Sequence, residues 1–125
     1  MKAKMGEEEI RLVKPKCFIL DTKGIGKISI SFSELTFKCP ITGYPDFGTI
    51  YFSYIPDKKI LELKSFKLWI NSFRDEYIGY EKLFIRIWQE LWELLNPKSM
   101  VLKVVFNPRG NVSTIIEWEE KQNIK

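Results

Sequence analysis

From residue 27 the chain alternates polar and apolar side chains: Lys27-Ile28-Ser29-Ile30-Ser31-Phe32, and then, in the opposite phase, Leu35-Thr36-Phe37-Lys38. Period two describes a strand with one buried face, and the slip between Phe32 and Leu35 predicts a bulge or bend within it. Gly48-Thr49-Ile50-Tyr51-Phe52-Ser53-Tyr54-Ile55, aromatic and β-branched, predicts a second long strand ended by Pro56-Asp57. Ahead of both, Cys17-Phe18-Ile19-Leu20 reads as a short strand, and Lys58 to Glu62 continues extended or opens a turn. From Ser65 the period changes. Phe66, Trp69, Ile70 and Phe73 recur in steps of three and four, which predicts a helix with one apolar face, ended between Asp75 and Gly79. Leu83, Phe84, Ile87, Trp88, Leu91, Trp92, Leu94 and Leu95 give a second helix a broad stripe, stopped by Asn96-Pro97. Strands over Met100 to Phe106 and Val112 to Trp118 follow, joined through Asn107-Pro108-Arg109-Gly110-Asn111.

This order, β-β-α-α-β-β, predicts an α+β domain: an antiparallel sheet with both helices on one face. The Trp88 and Trp92 stripe then belongs to core or subunit packing. Four long strands leave two sheet edges, which invite pairing with other subunits. Residues 1–16, charged up to Lys14-Pro15-Lys16, predict a flexible N-terminal arm, 17–120 the single domain and 121–125 a polar tail.

Composition narrows the chemistry. No apolar run approaches the roughly 20 residues of a membrane span, and the charged start leads into no signal-like segment, so the expected compartment is the cytoplasm. Two cysteines, Cys17 and Cys39, lack the paired spacings of a zinc site or a disulfide framework, and Cys17 reads as structural. The chain contains no histidine, which excludes a His-ligated metal, a Ser-His-Asp triad and a Cys-His pair. No other ligand cluster suggests a metal. A nucleophile here needs a carboxylate, lysine, tyrosine or backbone dipole instead. With 20 basic against 16 acidic residues the net charge is +4, a mixed surface that argues only weakly for nucleic acid.

Within Cys39-Pro40-Ile41-Thr42-Gly43-Tyr44-Pro45-Asp46-Phe47, two prolines and a glycine place a thiol and a carboxylate at the two ends of a turn. Both could face one pocket, as cysteine chemistry requires; the plainer reading is a small buried Cys39 and a turn-capping Asp46. Lys64 and Lys67 share a face near a helix N-terminus whose dipole and free amides favour anions. With Arg109 they make a candidate phosphate patch, or else a set of solvated cations.

These blocks, together with Tyr54-Ile55-Pro56-Asp57-Lys58-Lys59, Glu62-Leu63-Lys64-Ser65-Phe66-Lys67-Leu68-Trp69 and Asn107-Pro108-Arg109-Gly110-Asn111, resemble the short form of the QueF family of NADPH-dependent 7-cyano-7-deazaguanine reductases. The resemblance runs from Thr36 to Glu117, about two-thirds of the chain, and the Glu62 to Trp69 block matches that family's own signature. It implies a tunnelling fold whose subunits join sheets into a ring around a central tunnel, with active sites at subunit interfaces and typically two stacked pentamers. The implied reaction reduces a nitrile to a primary amine in queuosine biosynthesis, a tRNA modification pathway. Cys39 is then the nucleophile that forms a thioimide, and Asp46 the general acid/base. Two NADPH act in turn, met by Lys64, Lys67 and Arg109, with Glu62 and Ser65 in the same signature. Glu81 falls at the family's base-binding glutamate, and Tyr80 stands where the family commonly has histidine. The partners implied are 7-cyano-7-deazaguanine and further copies of the chain, with no direct nucleic acid and no membrane. A related family forms an amidine on tRNA without a nicotinamide and lacks the signature that this chain retains. Outside enzymes, the competing readings are a tunnelling-fold subunit that has lost activity and a small RNA-binding module.

Overall fold

The structure, a computed structural model, describes residues 14–122. A four-stranded antiparallel sheet is built from β2 (Ile28–Lys38), β3 (Pro45–Ile55), β5 (Ser99–Arg109) and β6 (Val112–Lys121), in the order β2-β3-β5-β6. A separate two-stranded ribbon pairs β1 (Cys17–Ile19) with β4 (Lys59–Leu61). Between β4 and β5 lie α1 (Leu63–Asn71), a 3-10 turn at Ser72–Asp75, and α2 (Tyr80–Leu95). The expected order of long strands and helices is therefore present, with the β1–β4 ribbon added beside the helix start.

One face of the sheet carries the core. Alternate residues Ile50, Phe52 and Tyr54 of β3 and Met100, Leu102, Val104 and Phe106 of β5 are buried against Phe66, Trp69 and Ile70 of α1 and Leu83, Ile87, Leu91 and Leu95 of α2. The predicted slip in β2 is a register shift between Phe32 and Leu35, which lets Ile30, Phe32, Leu35 and Phe37 all reach the core. Trp88 and Trp92 stack at 5.5 Å, half-buried against that core. Asn96, in the left-handed conformation at φ 42°, closes α2 where Asn-Pro predicted a stop.

Several boundaries differ from the sequence expectation: pairing between β5 and β6 carries the one on to Arg109 and the other to Lys121, and further differences fall nearer the turn and the helix start. The second strand begins at Pro45 rather than Gly48: Pro45 pairs with Lys38 and Asp46 with Phe37. Proline is tolerated as a first strand residue, so the ladder extends back past the turn residues. The first helix begins at Leu63 rather than Ser65 and gives way to the 3-10 turn after Asn71. At the chain's start, Pro15 is buried and the Lys16 backbone is bonded to the start of α1, so packing reaches into the stretch expected as an arm. The rest of that arm and residues 123–125 lie outside the described residues. Among the described residues no helix is long and apolar enough to cross a membrane.

Candidate active site

The turn after β2 is pinned from both sides. The Lys38 N–H donates to Glu76 O at 2.9 Å and the Lys38 carbonyl accepts from the Ile78 N–H at 3.0 Å, so residues 76–78 run as a short parallel strip along the end of β2. The Lys38 ammonium lies 3.7 Å from Asp75 and over the Tyr77 ring. The Cys39 N–H then donates to Tyr44 O at 2.9 Å, and the Gly43 N–H to Cys39 O at 2.8 Å. Gly43 has φ +75°, a conformation that glycine adopts without the steric cost of a Cβ. The half-buried thiol of Cys39 is thus held in one place.

Its environment favours the thiolate. The Thr42 hydroxyl above all, and then the N–H groups of Thr42 and Ile41, lower the Cys39 pKa to about 7, with Arg109 adding to the effect and desolvation opposing it. Thr42 also accepts from the Tyr44 N–H at 3.2 Å. Sequence reasoning did not single out Thr42, although a hydroxyl residue in a Pro/Gly-rich turn is an available signal for side-chain bonding to local groups.

Asp46 projects from the inward face of β3 and is 5% exposed, one of two buried polar residues among the described residues. Its Oδ1 lies 2.9 Å from Arg109 Nε. Arg109 reaches it because the β5–β6 pairing shifts register between Phe106 and Arg109, and the turn that follows puts Gly110 (φ 55°) and Asn111 (φ 67°) both in the left-handed region, as a tight hairpin requires. Arg109 is therefore the last residue of a strand rather than a residue of a free turn. Tyr80 opens α2 with its ring stacked on Phe106 (4.2 Å, 11°) and edge-on to Phe37 (5.8 Å). Burial first, and then the Asp46 charge, push its phenol above the usual range, with Arg109 opposing and Cys39 adding slightly. Cys39, Asp46, Arg109 and Tyr80 thus converge, and Glu81 sits exposed beside them in the first turn of α2.

The remaining predicted residues form a second cluster. Glu62 is the N-cap of α1: its Oε1 accepts from the Ser65 N–H at 2.8 Å and its Oε2 from the Lys64 N–H at 2.9 Å, which hold its carboxyl below the usual range. The expectation of free amides at this helix start is thus corrected, because Glu62 has taken two of them. Ser65 is buried, donating to Glu62 O at 2.9 Å and accepting from the Lys16 N–H at 2.8 Å. Lys64 and Lys67 are exposed and form no salt bridge among the described residues, so the side-chain cations alone fit an anionic phosphate. Nor does one chain place Arg109 with them. Glu62 sits at the Ile55 end of the sheet and Asp75 at the Lys38 end, so the rest of the first helix and its 3-10 extension, about 14 Å from Lys67 to Asp75, separate the lysines from the Cys39 end.

A thiol that ionises near neutrality and shares an arginine with a buried carboxylate has the properties that a cysteine nucleophile requires. It can add sulfur to an electrophilic carbon and move the accompanying proton. The chain belongs to the QueF family: a family profile described as QueF-like protein matches residues 45–125, a range that holds Asp46, Glu62 to Trp69, Tyr80, Glu81 and Arg109. Among curated relatives, the NADPH-dependent 7-cyano-7-deazaguanine reductase of Synechocystis is 46% identical over 95% of this chain and 88% of its own length. The enzymes of the same name from Microcystis aeruginosa and Aquifex aeolicus are 51% and 49% identical, over 72% and 77% of this chain and 69% and 74% of their own. In three dimensions, the crystal structure of the archaeosine synthase QueF-Like in the apo form matches with a TM-score of 0.71 at 20% identity, over 79% of this chain and 97% of that one. That likeness concerns the fold alone.

Proposed function

We propose that this chain is an NADPH-dependent 7-cyano-7-deazaguanine reductase that converts the nitrile to the aminomethyl group in queuosine biosynthesis. The observation that carries the reading is the Cys39 thiol, ionising at about 7 and sharing Arg109 with buried Asp46. Relatives of that name, at 46% identity over 95% of this chain, support it. In this reading the Cys39 sulfur adds to the nitrile carbon, one carbon–nitrogen π bond opens, and the nitrogen takes a proton by way of Asp46, leaving a covalent thioimide. Bound NADPH supplies the hydrides, one from each of two molecules in turn. Asp46 delivers a proton to the nitrogen with each reduction, and between the two Cys39 leaves with its electron pair. Covalent attachment keeps the substrate from escaping half-reduced. Glu81 accepts hydrogen bonds from the amino and ring N–H groups of the base.

Lys64 and Lys67 hold the cofactor phosphates, at a helix start whose shape Glu62 and Ser65 fix. Arg109 joins them from a second copy of the chain, in a ring of sheets stacked as two pentamers around a tunnel, in the cytoplasm. Three features support this assembly: the separation of the two clusters along α1, the outer edge of β6 and that of β2 short of Lys38, unpaired among the described residues, and the exposed Phe47, Tyr51 and Ile115 on the sheet face away from the helices. The domain extends through residues 17–120.

Anaerobic incubation with 7-cyano-7-deazaguanine, followed by intact-protein mass and the near-ultraviolet spectrum, tests the proposal. The expected result is a mass gain equal to the substrate, absent in Cys39→Ala and discharged by NADPH with loss of NADPH absorbance. An adduct that NADPH does not discharge indicates amidine-forming chemistry, and the lack of any adduct overturns the enzymatic reading.

A further inference from the structure

Asp46 is the one charged residue among the buried residues described, paired across the sheet with fully buried Phe37. A carboxylate in such a place needs a cation, because its charge has lost most of its water. Arg109 supplies one: its Nε lies 2.9 Å from Oδ1, while its own side chain is 34% exposed.

A regular β5 would not bring it there. Met100, Leu102, Val104 and Phe106 point into the core, so unbroken alternation turns Arg109 to the opposite face. The register shift between Phe106 and Arg109 changes that phase and carries the guanidinium round to Asp46, and the left-handed Gly110 and Asn111 turn the chain directly after it. The ion pair thus depends on an irregular strand end and a tight hairpin. The pair of Arg86 with Glu76, by contrast, joins two exposed side chains on the surface.

We propose that Arg109 is a positioning residue for Asp46 within its own chain: the ion pair at Oδ1 holds the carboxyl beside the turn that carries Cys39, so that a proton passes to the nitrile nitrogen as the thioimide forms. In that step the Cys39 sulfur gives its electron pair to the nitrile carbon, one carbon–nitrogen π pair moves to nitrogen, and the nitrogen takes the proton by way of Asp46. Arg109 itself forms and breaks no covalent bond. This role precedes any hydride transfer and is separate from a contact with cofactor phosphate, for which the exposed part of the side chain remains free. The part in proton transfer rests on the reductase reading; the ion pair does not.

Adduct formation needs no NADPH, which isolates this role. Wild type and Arg109→Gln are mixed anaerobically with saturating 7-cyano-7-deazaguanine alone, and the adduct is followed against time by intact-protein mass. The variant is expected to form it about tenfold more slowly. Arg109→Lys, which keeps the charge without the planar fork, is expected to recover part of that loss. In an Asp46→Asn background the same Arg109→Gln change is expected to slow the adduct less than about twofold, since a residue that acts through Asp46 has nothing left to act on. Alkylation of Cys39 by iodoacetamide, which needs no proton donor, is expected to change less than about twofold, because Arg109 contributes least of the groups that lower the thiol pKa. If Arg109→Gln does not fold, Arg109→Lys with and without Asp46→Asn carries the same comparison.

A wild-type adduct rate in Arg109→Gln overturns the proposal and leaves Arg109 as a phosphate ligand only. A slowing that persists in full beside Asp46→Asn, or that alkylation shares in full, overturns it as well. Where wild type forms no adduct, the reductase reading falls and thermal unfolding still tests the ion pair. Arg109→Gln strands a buried carboxylate and is expected to lower the melting temperature by several degrees, and Asp46→Asn in the same chain to restore most of the loss; no restoration overturns the pairing.

Discussion

The Cys39 thiolate is held chiefly by one hydroxyl, and that hydroxyl can be removed with little change of shape. Thr42→Val keeps the β-branched volume and deletes the group that does most to lower the thiol pKa, while the Thr42 and Ile41 N–H groups remain. With a midpoint at about 7, half of the thiol is ionised at pH 7. An ordinary cysteine titrates near about 8.5, so a variant that keeps its backbone donors is expected at about 8, with about one thiol in ten ionised at pH 7. Alkylation by iodoacetamide, read by mass spectrometry of the Cys39 peptide, is therefore expected to slow about fivefold at pH 7 and to reach the wild-type rate above about pH 9. Reactivity rises as pH rises through the midpoint, because only the thiolate attacks. Thr42 also accepts the Tyr44 N–H, so loosening of the turn has to be separated from loss of the thiolate. Thr42→Ser restores both bonds and is expected to return the midpoint to about 7. A Thr42→Val midpoint equal to wild type, with the melting temperature preserved, would refute the account of how the thiolate is held.

Glu62→Gln tests the cap of α1. Since the folded pKa of Glu62 is depressed, its contribution is present above the usual carboxylate range and is lost as pH falls through the folded value. The variant is thus expected to melt a few degrees lower at pH 7, and the gap to wild type to close in strong acid; a gap independent of pH would count against the cap. Leu102→Ala empties a fully buried site in the middle of β5 and is expected to cost about 2–5 kcal/mol in urea unfolding, whereas a cost below about 1 kcal/mol would mean that the sheet collapses into the cavity. Lys67→Ala removes one exposed cation and is expected to raise the NADPH KM about fivefold, more at low salt, with kcat little changed; an unaltered NADPH dependence would take Lys67 out of the cofactor site.

Much of the fold could be read along the chain, because sheet and helix each impose their own period on buried side chains. The alternation at Ile28, Ile30 and Phe32, its slip before Leu35, and the stripe from Leu83 to Leu95 are visible without coordinates, and the core uses these residues. The site was legible as residue types in a turn, Cys39 and Asp46, and in a signature, Glu62 to Trp69. What Glu62 does was less legible. It reads as part of a charged block, and only the backbone path shows its carboxylate closing the two amides of Lys64 and Ser65.

The sequence by itself determined the strand and helix periods, the absence of imidazole, and hence that proton transfer beside Cys39 falls to another group. Tertiary structure alone decided where Asp46, Arg109 and Tyr80 meet. Asp46 is buried because pairing Phe37 with Asp46 extends β3 past its apparent start; Arg109 reaches it because a bulge re-aims the end of β5; Tyr80 is held at this end of the sheet because its ring stacks on Phe106. The Arg109–Asp46 and Tyr80–Phe106 contacts join residues separated by tens of places in the chain, which no local period encodes. The same holds for the distance between Lys67 and Cys39, which is set by the course of α1 across the sheet and not by their spacing in sequence.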